Sequence, residues 1–173
     1  EPLGTAHAIL CAKESLDGPI VVAFADTLFR ADFTVDPSSD GVLFVQRIDD
    51  PSAFGVVITD DNGGIIDYVE KPKEFVGDLA MIGIYSFKDG ARLRKELQYL
   101  IDNKILLAGE YQLPDALKNM TASGMNFTTG EVSEWMDCGN KPVTVDTNRR
   151  VLSILEEEGR LHHKNGVDSS AEI

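Results

Sequence analysis

Basic charge is scarce in this 173-residue sequence: Lys and Arg total 16 against 29 Asp and Glu, a formal charge of −13. Phosphate backbones are held by clustered Lys and Arg, so the balance argues against a nucleic-acid groove. Any anionic substrate then needs a metal ion or a local cationic site. Cysteine is nearly absent, and Cys11 and Cys138 form no CxxC pair, so they make neither a disulfide framework nor a zinc site. That usage fits a reduced, cytosolic setting. No apolar run approaches the ~20 residues of a membrane span, and the first residues do not read as a signal peptide, so neither membrane insertion nor secretion is expected. Low-complexity linkers and internal repeats of ~20 to 50 residues are missing too. Residues 1–173 therefore read as one domain, long enough to bury about 70% of its unfolded surface.

What is present alternates helix and strand. Ala6, Ile9, Leu10 and Ala12 fall at helical spacing in Gly4–Leu16, which Asp17-Gly18-Pro19 stops. Ile20–Phe24 is an unbroken apolar run of the kind covered on both faces in a parallel sheet, and Val42–Val45 is a second strand. Phe54–Ile58 and Ile65–Val69 flank Asp60-Asp61-Asn62-Gly63-Gly64, a hairpin whose turn requires positive φ. Met81–Phe87 and Asn126–Val132 read as further strands; Ala91–Ile101, Leu113–Met120 with a stop at Gly124, and Lys141–Glu158 read as helices. The pattern is α/β with a mixed, mostly parallel sheet, and such sheets bind ligands just past their strand ends.

Two carboxylates occupy such positions: Asp26 after the first strand, and Asp137 in Trp135-Met136-Asp137-Cys138-Gly139. Either alone could cap a helix; together they offer the hard oxygen donors that Mg²⁺ takes beside substrate phosphates. Glu70-Lys71-Pro72 presents a carboxylate for sugar hydroxyls and an ammonium for a phosphate, or else a solvated surface pair. Gly55 marks a close backbone approach or a bulge. Leu3-Gly4-Thr5-Ala6 opens a helix whose free amides suit an anion or a base carbonyl. Tyr85 reads as core with a hydroxyl seeking a partner, His7 as a packing residue, and His162 and His163 as solvated tail. No serine or cysteine triad is discernible.

The order of these pieces carries more than any one of them. Leu3-Gly4-Thr5-Ala6, Asp26, Asp50-Pro51 leading to Phe54-Gly55-Val56-Val57, Glu70-Lys71-Pro72, Gly83-Ile84-Tyr85, Gly109-Glu110 with Leu113-Pro114-Asp115, and Trp135-Met136-Asp137-Cys138-Gly139 follow one another in a single series. The series resembles the sugar-phosphate nucleotidyltransferase family, in particular glucose-1-phosphate thymidylyl- and uridylyltransferases, from Leu3 to about Leu152. The resemblance implies a Rossmann-like nucleotidyltransferase fold. It assigns Asp26 and Asp137 to the catalytic Mg²⁺, Gly4 and Thr5 to the base and ribose, Gly55, Glu70 and Tyr85 to the sugar, and Lys71 to its phosphate. Glu110 is expected to shape the sugar pocket and Asp115 to start or cap a helix. The implied reaction joins a nucleoside triphosphate, dTTP or UTP, to a sugar-1-phosphate, with glucose the family default.

The sequence also departs from that family. Members begin with a glycine-rich segment resembling GGxGTRLxPLT that cradles the triphosphate; this chain holds none and opens at Glu1. The expectation is a fragment lacking an amino-terminal piece of ~30 residues or more, with an uncovered sheet and hence a tendency to dimerise or swap. Ala25 stands beside the aspartate where Gly is usual, Ala108 where some members place an arginine, and Cys138 where Thr is usual. These departures leave a second expectation open, a non-catalytic sugar-phosphate-binding or regulatory homologue. A glycosyltransferase would want an Asp-x-Asp motif, and none occurs.

Overall fold

The computed structural model describes residues 2–31, 38–160, 163–164 and 167–168. In chain order the elements begin with α1 (Thr5–Leu10), a 3₁₀ turn (Lys13–Ser15), β1 (Ile20–Ala23), β2 (Thr27–Arg30), β3 (Gly41–Arg47), β4 (Gly55–Thr59) and β5 (Ile65–Glu70). They continue with β6 (Leu79–Phe87), α2 (Gly90–Asp102), α3 (Leu113–Ala122), β7 (Phe127–Glu131), β8 (Glu134–Asp137), α4 (Lys141–Glu157), β9 (His163–Lys164) and β10 (Val167–Asp168). Contacts within the chain group it into two compact units: Glu1–Phe24 with Phe29–Trp135, and Ala25–Leu28 with Met136–Ile173. His162 and the side chain of His163 lie outside the described residues. Among those residues no helix is long and apolar enough to cross a membrane.

The first unit is organised by β6. Its sheet runs β5-β4-β6-β3-β7, and β1 also pairs with β6. Along one side of β6, β4 takes Leu79 and Ala80 while β1 takes Ile84–Phe87; β3 follows the other side. Every pairing in this sheet is antiparallel except β3 with β7. The expected parallel majority is thus corrected. The unbroken apolar runs have a different cause: both faces of the sheet are covered. Leu43 and Val45 of β3, with Met81, Tyr85 and Phe87 of β6, enter one core with the helices, whereas Val42, Phe44, Ile82 and Ile84 enter a second with Val132. Alternate side chains therefore all meet apolar partners, and no residue of the run needs to be polar.

Other expectations shift for local reasons. β1 is one-sided: Ile20, Val22 and Phe24 pack on the first core, but Val21 is 63% exposed. The helix expected over Gly4–Leu16 breaks after Leu10, because Ala12 and Ser15 donate to carbonyls three residues back, which tightens the turn into 3₁₀ form. The hairpin forms as expected, with Gly63 at φ 82 and Asp60 Oδ1 accepting from the amides of Asn62 and Gly64. α2 takes its cap from Asp89, which accepts from the Arg92 amide, and buries Leu93, Leu97 and Leu100. α3 ends where Gly124 turns left-handed at φ 91, as read from the sequence. In the second unit α4 is capped by Asn140, whose side chain accepts from the Val143 amide, and it buries Thr147 and Ile154.

Candidate functional site

Asp26 is exposed and Asp137 half-buried, and both belong to the second unit. Their backbones lie at adjoining strand ends because β2 and β8 form a two-stranded ladder. The Ser133 amide donates to the Arg30 carbonyl and the Cys138 amide to the Asp26 carbonyl, each at 2.8 Å, so the strands run in opposite directions. Asp26 immediately precedes β2 and Asp137 ends β8. A strand, not a helix, follows Asp26, which removes the helix-cap reading for that residue. Asp137 Oδ1 accepts from the Gly139 amide at 2.8 Å, and its carbonyl accepts from Thr147 Oγ1 of α4 at 2.5 Å. The Gly139 amide therefore orients that carboxylate, α4 holds the backbone carbonyl of the same residue, and Asn140 supplies the helix cap.

Neither carboxylate has an ion pair among the described residues. Two anionic groups on hydrogen-bonded neighbouring strands, without a protein cation, suit a divalent ion that completes its shell with water and phosphate oxygens. The described residues contain no cluster of three or more His, Cys, Asp or Glu able to hold a metal alone. A site here would rest on the pair.

The sugar-directed residues belong to the first unit. Glu70 ends β5 opposite Gly55 of β4. A methyl group on Gly55 would stand 2.5 Å from Met81 Cε and 2.9 Å from Glu70 Oε2, so the glycine makes room for that carboxylate. The Glu70 side chain is only 19% exposed. Burial pushes its carboxyl above the usual range; Lys71 opposes the shift, and the charges of Asp115 and Glu110 add to it. Tyr85 is buried as expected, edge-on to Phe24 at 5.7 Å. Burial drives its hydroxyl far above the ordinary phenol value, the Glu70 charge adds, and a backbone bond at Gly83 opposes. Asp115 lies in the first turn of α3, raised by burial and lowered by Lys118; the cap position belongs to Gln112, not to Asp115.

Lys71 stands apart from this burial. Its side chain is 65% exposed, with Nζ 3.8 Å from Glu70 Oε1. Its backbone is left-handed, φ 44, and its amide donates to the Phe54 carbonyl at 3.0 Å. A non-glycine residue there carries strain of order 1–3 kcal/mol.

Gly4 and Thr5 have roles inside the unit. Gly4 adopts φ 100, and a methyl group there would collide with the Tyr111 carbonyl oxygen and the Glu110 side chain. Thr5 Oγ1 accepts from the Leu113 amide at 3.0 Å, closing the start of α3 across 108 residues of sequence. Buried Gln112 donates to Glu110 Oε2 at 2.9 Å, joining this corner to the exposed Glu110.

Three features escape the sequence reading. The β3–β6 register passes from Leu43↔Tyr85 to Val45↔Met81, a bulge around Gly83, which has φ 84. A glycine inside the apolar run Met81–Tyr85 was the available signal. The charge coupling of Glu70 to Glu110 and Asp115 had none, since it joins the end of β5 to a loop and a helix start about 40 positions further along the chain. The Trp135 indole Nε1 is buried without a hydrogen-bond partner, its ring edge-on to Phe54 at 5.1 Å.

Comparison with known proteins points one way. Residues 1–153 match the family described as Nucleotidyl transferase. The bifunctional protein GlmU of Methanococcus aeolicus is 29% identical over 157 residues, covering 90% of this chain and 37% of that protein. The glucose-1-phosphate thymidylyltransferase of Streptomyces antibioticus is 30% identical over 164 residues, covering 90% of this chain and 45% of its own length. The chain thus spans less than half of each of these curated relatives. The solved nucleoside-diphosphate-sugar pyrophosphorylase of Vibrio cholerae superposes with a TM-score of 0.71 at 22% identity, over 84% of this chain and 65% of that one, and shows the shared fold.

Proposed function

Because this chain belongs to the nucleotidyl transferase family, we propose that it carries the sugar-phosphate and metal-binding part of a sugar-1-phosphate nucleotidyltransferase, one that moves a nucleotidyl group from dTTP or UTP onto a sugar-1-phosphate. Glucose-1-phosphate is the proposed acceptor, in keeping with the thymidylyltransferase relative. The observation that supports the reading most is the placing of Asp26 beside the Asp137–Cys138 backbone, 111 positions from Asp137 in sequence (137 − 26), by the hydrogen bond from the Cys138 amide to the Asp26 carbonyl. Nothing in local propensity requires that meeting; a shared ligand gives it a purpose.

In this reading an oxygen of the sugar phosphate attacks the α-phosphorus of the triphosphate, the new P–O bond forms, and pyrophosphate departs with the electron pair of the broken bond. A phosphate monoester is already anionic, so no general base is assigned. Such transfers depend on positioning and charge neutralisation more than on covalent work by the protein. Asp26 and Asp137 would hold Mg²⁺, which supplies Lewis-acid polarisation of the phosphoryl group when bound. Lys71, exposed and left-handed, would hold the sugar phosphate as a point charge. Glu70, whose carboxyl is pushed above the ordinary range by burial, would bond sugar hydroxyls, and Tyr85 would bound the same corner. Gly4 and Thr5 would place backbone near the base and ribose.

The test is pyrophosphate release from glucose-1-phosphate with dTTP or UTP and Mg²⁺, measured on the full protein that contains this chain. Asp26→Asn should abolish release. Turnover that persists in Asp26→Asn, or its absence across a panel of sugar phosphates, would overturn the proposal.

A further inference from the structure

In a protein of formal charge −13, one depression of about 640 Å³ in the first unit is bordered by Lys13, Arg94, Lys95, Gln98, Tyr99 and Asp102. Leu93, Leu97 and Leu100 lock α2 into the core, which leaves this side of the helix facing out. The depression has a fixed frame, because the Arg94 guanidinium donates to the Lys13 carbonyl at 3.3 Å and ties the 3₁₀ turn to α2. Its cations are unneutralised: none of Lys13, Arg94 or Lys95 forms an ion pair among the described residues. The one bordering carboxylate, Asp102, is occupied by Gln98 Nε2 at 2.8 Å. Tyr99 leaves an aromatic ring 49% exposed at the same edge.

Three cations bordering one depression, with no ion pair among the described residues, present a local positive field to an anion in an otherwise acidic protein. The depression is open, so a ligand there lies along α2 with one side in water. We propose that this depression binds a phosphate-bearing small molecule with a flat ring, the chemistry of a nucleoside monophosphate. Arg94, Lys95 and Lys13 hold the phosphate, with Arg94 able to engage two of its oxygens. Tyr99, one turn further along α2, carries the ring. The phosphate then sits away from the negative carboxyl end of the helix. None of these residues takes part in the transfer proposed above, so the site is a second one, suited to an effector.

The test uses the isotope-labelled chain in EDTA, followed by NMR and titrated separately with UMP, ribose phosphate and inorganic phosphate. Saturable shifts should centre on Lys13 and Arg94–Tyr99, with affinity falling in that order of ligands. Arg94→Gln/Lys95→Gln should weaken UMP by at least about tenfold, and Tyr99→Ala should erase the advantage of UMP over ribose phosphate. Equal affinity for all three ligands would overturn the nucleotide assignment. So would shifts that miss this helix in the unmutated chain, a measurement that needs no variant to fold. Without metal or sugar phosphate the result is independent of whether Asp26 and Asp137 support catalysis.

Discussion

Asp26 and Asp137 face water, wholly or in part, at the ends of two short strands; the Gly139 amide orients the Asp137 carboxylate and the Thr147 hydroxyl holds its backbone carbonyl. Glu70 and Asp115, in the other unit, are desolvated, their affinity for protons raised by burial and, at Glu70, by neighbouring acids. The contrast concerns what each environment makes easy. A carboxylate at the surface is open to a divalent ion that keeps part of its own water shell. A carboxyl in an apolar corner keeps its proton longer, and it can donate to or accept from a neutral hydroxyl at little desolvation cost.

The sharpest way to break that comparison is at the water-facing pair. Asp26→Asn and Asp137→Asn should each lower pyrophosphate release by about a thousandfold or more, and Asp26→Asn should leave the melting temperature within about 2 °C. A large stability loss with activity intact would make the pair structural. Next in size is Gly55→Ala, which drives a methyl group against Met81 Cε and Glu70 Oε2. It should cost about 1–3 kcal/mol by chemical denaturation. Thr5→Val removes the acceptor for the Leu113 amide and should cost about 1 kcal/mol; no change would mean that water replaces the hydroxyl.

The smallest effect reverses sign. The folded state binds a proton at Glu70 more tightly than the unfolded chain does, because burial raises its carboxyl. Stability is therefore lost as pH rises from the ordinary carboxylate range through the raised value. Glu70→Gln should melt higher than the parent at neutral pH, with the difference shrinking on acidification. A lower melting point at neutral pH would show the Lys71 pairing to outweigh the desolvation.

Much of this architecture was legible because its signals are local. The Asp60–Gly64 turn, the α3 stop at Gly124 and the span of α4 depend on residues within a few positions of one another. Strand direction was not legible, since an apolar run such as Val42–Val45 is equally consistent with either sense once both faces are covered. β2 and β8 went unread because each has four residues and finds its partner about a hundred positions away, as Ser133 does with Arg30. For the candidate site, residue identity was legible and environment was not. Ordered motifs singled out Asp26, Glu70 and Asp137, but only the folded chain brings Glu110 and Asp115 to bear on Glu70.

The left-handed backbone at Lys71 sets this position at odds with itself over evolutionary time. Glycine would relax it, so any selection for a sturdier fold alone pushes toward discarding the ammonium group. The ammonium group is thus carried at an expense in folding free energy that a glycine would not incur.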